Sequence, residues 1–400
     1  MNRIHLCAAA LMVVAPAASA SAQPPPDAVE QAAIRLGPVG INPSIVVRDL
    51  GIDDNVFNES QNPKRDFTFT LTPRADVLFR AGRVRTTITT ATDYVYYETY
   101  ESERGTNQLA SVRFDIDLGR LQPYATASGA NTRERLNREV DARARHRTMT
   151  YTGGLSVRIA SRISVGAAAR RTTMRFDEGT SFRGVALDES FDSRTDAVEG
   201  SFDFELTPLT TLRLVGERAE QTFDLQPSRN SRSYRLGPML TFSPLGLLNG
   251  SASVAYRRFE PNDPSLVPYS GLVAHVGLTA LIVSRHKLET AFNRDVQYSY
   301  EREAPYYLST GGSVTWTTQL TSTFDVRLTG GRQRLQYRGD VQELGADTFT
   351  SYGGGVGVRL AHRIRLGLDA LRTERQSERA AEREYRSQRL FASFTWGASS

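Results

Sequence analysis

The chain has 400 residues, a formal net charge of +5 and a mean hydropathy of −0.38. Its basic residues are nearly all arginine and alternate with Asp and Glu, which argues against the single basic patch of a nucleic-acid-binding protein. The single cysteine, Cys7, lies near the N-terminus, so the rest of the chain carries neither disulfides nor thiolate chemistry. No segment approaches the roughly 18 unbroken apolar residues of a membrane helix.

The N-terminus has the features of a secretory signal peptide. Asn2-Arg3 gives a short positive start, an apolar run extends from Ile4 to Ala18, and Ala20-Ser21-Ala22 supplies the small-x-small pattern of a cleavage site. We therefore predict a signal peptide over residues 1–22, which implies export. A membrane anchor and a lipid anchor at Cys7 fit less well, because the apolar run is too short to span a bilayer and mostly follows the cysteine.

Residues 23–39 are predicted to form a periplasmic tether. Three prolines, Pro24 to Pro26, stiffen its start, and the segment from Asp27 to Leu36 has the composition of a short helix. Gly37-Pro38 then ends that segment. A plug inside a barrel lumen is the alternative role for the tether.

From Gly40 onward, polar and apolar residues alternate with the period of two that is typical of strands with one apolar face. Segments 112–118, 198–206, 324–328 and 364–369 show the pattern most clearly. On a helix the same charges would lie on every side, which excludes amphipathic helices.

Short and long connections alternate along this region. Ser161-Arg162 and Ser284-Arg285 are short, whereas Arg133–His146 and Asp177–Ser193 are long and polar. Tight periplasmic turns opposite larger external loops are typical of outer-membrane barrels. The sequence therefore predicts an all-β fold, a transmembrane antiparallel β-barrel of about 18 strands (16 being possible) over residues 40–397.

Aromatic residues and the last strand favour this fold over a soluble, secreted all-β protein. The last strand, Leu390–Trp396, is similar to the C-terminal signal that the barrel-assembly machinery recognises, so this machinery is a predicted partner. A propeller would show a repeat of roughly 40–50 residues, and none is present. Tyrosines at the external ends of strands are predicted to form the aromatic girdle at the membrane surface: Tyr94, Tyr96, Tyr97, Tyr100, Tyr298, Tyr300, Tyr306 and Tyr307.

Closing the sheet sends the polar residues of each strand into the lumen. Charges of both signs are expected there, and they can pair between neighbouring strands. The predicted pore-lining residues are Arg113, Asp115, Asp117, Glu199, Asp203, Glu205, Arg213, Glu217, His275, Asp325, Arg327, Arg365 and Asp369.

The sequence contains no motif of a catalytic centre, and we predict no enzyme activity, cofactor or metal site. His275 is better explained as a polar residue of the lumen wall than as a general base. Asp53-Asp54-Asn55 offers oxygen ligands for calcium, but it lacks the spaced ligands of a calcium loop, so an acidic turn is the better interpretation.

Several arginines do not fit a polar lumen wall in an obvious way. Arg294 has the parity of the lipid-facing residues, and either snorkelling or a bulge would accommodate it. A second group lies near the predicted external mouth, where it could attract anionic solutes, bind lipopolysaccharide phosphates or pair with nearby carboxylates. This group consists of Arg171, Arg257, Arg258, Arg332, Arg334 and Arg338.

The stretch Pro43–Val47, followed by Asp53–Phe57, resembles the putative β-barrel porin 2 family of bacterial outer-membrane proteins. The resemblance implies a barrel that fills the mature chain, with a transport role and, for some members, a link to exopolysaccharide export. It supplies no catalytic residues.

We expect a passive channel for small solutes, either general or weakly anion-preferring, in the outer membrane of a Gram-negative bacterium, in contact with outer-membrane lipid and lipopolysaccharide. Barrels of about 16–18 strands leave an aqueous channel, and no single loop, the longest being Asp177–Ser193, is long enough to seal it. The alternatives are a component of exopolysaccharide export, working with periplasmic export proteins and polysaccharide, and a non-conducting structural barrel.

Overall fold

The computed structural model describes residues 29–244, 246–341, 344–361 and 363–397. The predicted signal peptide and the start of the predicted tether lie outside these residues. Eighteen antiparallel strands follow one another in chain order, each paired with its neighbours. The first strand also pairs with the last, from Ser44 opposite Gly397 to Asp53 opposite Arg389, so the sheet closes. The predicted antiparallel β-barrel of 18 strands is confirmed.

The strands are numbered β1 to β18 in chain order. The first nine are β1 Val39–Asp53, β2 Asp66–Ala81, β3 Val84–Tyr97, β4 Gly105–Ile116, β5 Leu121–Arg135, β6 Arg143–Ala160, β7 Ile163–Phe176, β8 Ser193–Thr207 and β9 Thr210–Phe223. The others are β10 Ser231–Phe242, β11 Leu248–Pro261, β12 Tyr269–Ile282, β13 His286–Tyr298, β14 Tyr306–Gln319, β15 Phe324–Arg338, β16 Ala346–Ala361, β17 Ile364–Ser377 and β18 Tyr385–Gly397.

The predicted alternation of short and long connections is present. Tight turns join the strands at the end where the barrel begins and finishes, which we call the periplasmic end. Longer loops lie at the other, external end, and the fourth contains a short strand pair and the helix Leu187–Phe191. The external loops are L1 54–65, L2 98–104, L3 136–142, L4 177–192, L5 224–230, L6 262–268, L7 299–305, L8 339–345 and L9 378–384.

The segment that precedes the barrel is not the short helix that the sequence predicts. After a turn, Ile34–Leu36 forms a short strand, which folds back on β1 with Ile34 opposite Ile41. Gly37 makes this fold-back possible because its φ of +60° is readily adopted by glycine. Backbone hydrogen bonds to β1 therefore replace those of a helix.

The outward face of the barrel is apolar between its two ends. Val198, Leu328 and Val356 each expose about half of their surface there, and no charged residue occupies an outward position in the periplasmic half of a described strand. A face of this kind is stable against lipid and costly against water. Among the described residues, no helix is long and apolar enough to cross a membrane.

The external ends of β13 and β14 turn into the barrel. The pairing of β12 with β13 stops at Ala274 opposite Arg294, although both strands continue beyond that point. The ring of Tyr298 then packs 4.7 Å from that of Phe223 and 5.8 Å from that of Phe259, both on the inner wall. Behind this hairpin, L6 and L8 close the gap.

Two contacts hold the closed gap. The Val267 amide in L6 donates to the Gly339 carbonyl in L8 at 3.0 Å, and the Tyr306 hydroxyl donates to the Val267 carbonyl. The tip of the β13–β14 hairpin therefore lies inside the lumen, with both of its faces covered by protein.

This inward hairpin explains Arg294. At the point where β13 leaves β12, the guanidinium donates to the Leu272 carbonyl at 3.2 Å and to the Thr310 hydroxyl at 2.9 Å. Neither snorkelling nor a bulge accounts for its position. The arginine supplies a hydrogen bond to a strand carbonyl where the neighbouring strand has departed, as a backbone group in the membrane requires.

The same hairpin corrects the predicted aromatic girdle. Tyr94 is exposed on the outward face of β3, as expected. Tyr300, Tyr306 and Tyr307 are almost completely buried, and Tyr298 packs beside them inside the barrel. The prediction is wrong for these four because strand parity identifies the outward face only while the strand remains in the barrel wall. It is also wrong for Tyr97, which is buried and has inward parity on β3.

Candidate functional site: the barrel interior and its external closure

The interior wall carries a cluster of charges toward the periplasmic end, on β4, β8 and β9. Arg213 makes two hydrogen bonds with Asp203, at 2.5 and 2.8 Å, and Arg113 binds Asp115 at 2.6 Å. Strand alternation places these side chains, because each belongs to the inward set of its strand. Six of the predicted pore-lining residues line one recess together: Arg113, Asp115, Glu199, Asp203, Glu205 and Arg213.

A second cluster crosses β15, β16 and β17. Arg365 binds Asp325 at 2.6 Å, and Arg327 binds Asp369 at 2.5 Å. The intervening strand β16 has no side chain in the way, because Gly355 and Gly357 face these ion pairs. A Cβ atom at Gly355 would lie 1.9 Å from Asp369, and one at Gly357 would lie 2.1 Å from Arg365. The glycines therefore let the charged side chains lie across the strand.

Of the remaining predicted pore-lining residues, Glu217 borders the first cluster, opposite Glu199 in the strand register, and the other two lie apart from both clusters. Glu217 binds Arg170 at 2.7 Å on the inner wall, and His275 lies 3.1 Å from Asp295. Asp117 lies in a periplasmic turn, where its carboxylate accepts a hydrogen bond from the Gly119 amide. It is exposed at the rim because the strand ends one residue earlier.

Sequence reasoning missed the centre of a third cluster. Asp295 accepts hydrogen bonds from Arg235 at 2.8 Å and from Arg257 at 2.5 Å, in addition to its contact with His275. These residues have inward parity on β10, β11 and β13, a signal that was present in the sequence. Their meeting was not predictable, because β13 reaches Arg235 of β10 only by bending across the lumen.

The external end is closed by loops that meet across the barrel. In L3, Glu139 accepts a hydrogen bond from the hydroxyl of Ser299 in L7, 160 residues away. In L4, Arg183 donates to the Glu382 carbonyl in L9 at 3.2 Å. Several loops and the inward hairpin therefore meet over the external end of the lumen.

Glu139 lies at the centre of this closure. Its side chain is completely buried, and Oε2 has no hydrogen-bond partner among the described residues. Burial raises the pKa of Glu139 from 4.5 to about 8; the Ser299 hydrogen bond opposes the rise, and the charge of Glu301 adds to it. The carboxyl is therefore mostly protonated at neutral pH. Nearby, Glu301 binds Arg379 and Arg383 of L9.

A cavity of about 410 Å³ opens between L1, L3, L4 and L9. Phe57 and Phe182 give it apolar surface, while Arg375 and Arg383 are nearly buried in its wall. Arg375 binds Asp347 at 2.6 Å. The volume falls in the range of roughly 300–1,000 Å³ that is typical of small-molecule pockets. The cavity can therefore admit a small solute from the external side.

Comparison with known proteins agrees with this architecture. The family described as putative beta-barrel porin 2 matches residues 27–396. The chain belongs to this family. Two solved structures resemble it. Pseudomonas aeruginosa OccK2 (OpdF) in complex with glucuronate has 11% identity and a TM-score of 0.50, and the match covers 90% of this chain and 98% of that chain. A BenF-like porin from Pseudomonas fluorescens Pf-5 has 10% identity and a TM-score of 0.50, and the match covers 91% of this chain and 100% of that chain.

At such identities the likeness shows the fold, which is that of an outer-membrane porin. No curated protein matches the sequence of this porin-family barrel.

In this porin-family barrel, the acidic segment Asp53-Asp54-Asn55 closes the seam between β1 and β18. Asp53 binds Arg389 at 3.0 Å, and Asp54 accepts a hydrogen bond from the Gln388 amide at 2.6 Å. Asn55 donates to the Arg386 carbonyl at 2.9 Å. Among the described residues, no group of His, Cys, Asp or Glu side chains is arranged to hold a metal ion.

The arginines near the external mouth fall into two sets, according to whether their strand position faces the barrel interior or the outside. Arg257 faces inward and binds Asp295. Arg171, Arg258, Arg332, Arg334 and Arg338 have outward parity on β7, β11 and β15. Apart from Arg257, this group therefore does not face the barrel interior.

Proposed function

We propose that this barrel is a passive, porin-like channel for small solutes, with a preference for anions, and not an enzyme. The observation that carries the proposal is the interior wall, where charges of both signs are held in pairs along the barrel. Paired charges leave a polar surface without a strong net field, so that solutes can pass without being trapped.

The preference for anions rests on the external cavity. Arg375 and Arg383 lie in its wall, and guanidinium groups present several donors to a carboxylate or phosphate. Three carboxylates also line the cavity, Glu59, Asp141 and Glu382, and Asp141 is already bound to Arg135 at 2.5 Å. An entering anion therefore meets donors without facing the full charge of that carboxylate.

We further infer that the barrel resides in the outer membrane of a Gram-negative bacterium after export by the N-terminal segment and insertion by the barrel-assembly machinery. The apolar outward band supports this location. So does the last strand, where apolar residues alternate with polar ones from Leu390 to Trp396. Treatment of intact cells with an added protease tests this location, with immunodetection of the protein fragments that result from cleavage in L4. Cutting in intact cells is expected; protection in intact cells combined with cutting in lysed cells overturns it.

A non-conducting structural barrel is the second candidate, favoured by the buried hairpin tip. Single-channel recording in planar bilayers separates the two functions, with ion selectivity measured in a salt gradient. Steady openings with anion preference support the channel. A folded, silent barrel that starts to conduct when residues 299–305 are replaced by two glycines identifies L7 as a closing element, whereas silence of both proteins overturns the channel proposal.

A further inference from the structure

Outward charges near the external end lie on two sides of the barrel: a set of arginines on the consecutive strands β6 to β11, and a smaller set on β15 to β18. On β1 to β4, the outward positions near the external end are aromatic or neutral, with Phe67, Phe69, Tyr94 and Tyr96 among them. On β6 to β11, the same level carries a set of exposed arginines. This surface, the arginine face, consists of Arg147, Arg171, Arg175, Arg194, Arg218, Arg232 and Arg258.

Carboxylates between the strands hold these arginines in place. Asp196 binds Arg171 at 2.6 Å and Arg194 at 3.2 Å. Glu220 repeats the arrangement with Arg218 at 2.7 Å and Arg232 at 3.4 Å. Each carboxylate therefore orients two guanidinium groups on adjacent strands, which lowers the conformational entropy that a ligand must remove when it binds them.

The guanidinium groups remain accessible while they are held. The side chains of Arg171, Arg218 and Arg232 are each exposed by more than half, and Arg147 is exposed without an ionic partner among the described residues. A planar guanidinium carries five donors, so binding one carboxylate leaves others free. The face also has more arginines than carboxylates, because within the described part of the chain only Asp196, Glu220, Asp224 and Glu260 pair with it.

The depth of this face identifies the partner. The arginines lie directly outside the apolar band, where the hydrocarbon of the outer leaflet ends and its headgroups begin. We propose that the arginine face binds a phosphate-bearing lipid of the outer leaflet, with paired guanidinium groups on neighbouring strands holding the headgroup phosphates. The lipid would then coat the β6–β11 side of the barrel and leave the β1–β4 side without bound headgroups.

The test uses the full mature protein in detergent with bis-phosphorylated lipid A as the probe. Replacing Arg147, Arg171, Arg218 and Arg232 with Gln removes charge from the face without altering buried contacts. We expect lipid binding, measured by native mass spectrometry, to weaken at least about tenfold. A matched variant replaces four outward arginines of β15 to β18, Arg332, Arg334, Arg372 and Arg386. It should bind the lipid more tightly than the first variant, because this side holds its arginines less closely: Glu374 binds Arg372 at 2.6 Å but lies 3.8 Å from Arg386.

Three results would overturn the proposal: unchanged binding by the first variant, equal weakening by both variants, or equally tight binding of enzymatically dephosphorylated lipid A. Binding of inorganic phosphate with the same affinity as the lipid would assign the surface to free phosphate instead. Heat-modifiability on gels checks that each variant is folded. A salt titration of the unaltered protein gives an independent measure, because headgroup binding by arginines must weaken as salt rises.

Discussion

Ionisation of Glu139 should loosen the external closure of the barrel. Its pKa is raised from 4.5 to about 8, because the carboxyl is buried where L3 meets L7. At a pH between these two pKa values, Glu139 keeps its proton in the sealed state, whereas it would release the proton in an open state that exposes the carboxyl to solvent. The sealed state is therefore fully stabilised below about pH 4.5 and loses stability as pH rises toward 8.

The magnitude follows from the difference between the two pKa values. At about 1.4 kcal/mol per pH unit, the sealed state is destabilised by up to about 5 kcal/mol above pH 8. Between pH 6 and pH 8 alone, the equilibrium between sealed and open loops should shift by up to about 100-fold. Arg383, Arg375 and Arg229 lie close enough to affect this carboxyl, so removal of their charges would raise the pKa further.

Planar-bilayer recording of open probability from pH 5 to pH 9 is the assay. The unaltered protein should open more as pH rises, and Glu139→Gln should remain closed across the range because the amide cannot ionise. Glu303→Gln, an exposed change in L7, is the matched control and should keep the pH dependence. A Glu139→Gln profile that follows the unaltered protein would refute the reasoning.

Two further predictions concern stability, each measured by urea unfolding of the barrel in lipid. Arg294→Ala removes the donor to the Leu272 carbonyl and should lower the free energy of unfolding by about 1–3 kcal/mol. The control, Arg332→Ala on the exposed outward face, should change it by less than about 0.5 kcal/mol. Equal losses of stability would contradict the assignment of Arg294 to the strand gap. Asp325→Ala leaves Arg365 without its partner and should lower the free energy of unfolding by about 3–5 kcal/mol. Adding Arg365→Leu to this variant should recover part of the lost stability. A double variant less stable than Asp325→Ala would argue against an unpaired charge as the cause of the loss.

The sequence by itself determined the wall of this barrel. Strand number, antiparallel order and the alternation of short turns with long loops all follow from period-two patterning, because a strand buries alternate residues and a bilayer tolerates no unpaired edge. The same patterning predicts the inward sets that include Arg113, Asp203 and Arg365. Parity depends only on neighbouring positions in the chain, so one sequence is sufficient to read it.

Only the tertiary structure decided what fills the barrel. The inward turn of β13 and β14 depends on contacts such as Tyr298 with Phe223, which are far apart in sequence and have no local signature. Arg294 looked misplaced because its partner is a backbone carbonyl freed by that turn. The burial of Glu139 has no local sequence signal, because Ser299 of L7, which binds it, lies 160 residues away. Local patterning fixes which face a side chain takes within a wall, but the packing of loops across a lumen depends on shape and charge that meet only after the wall has closed.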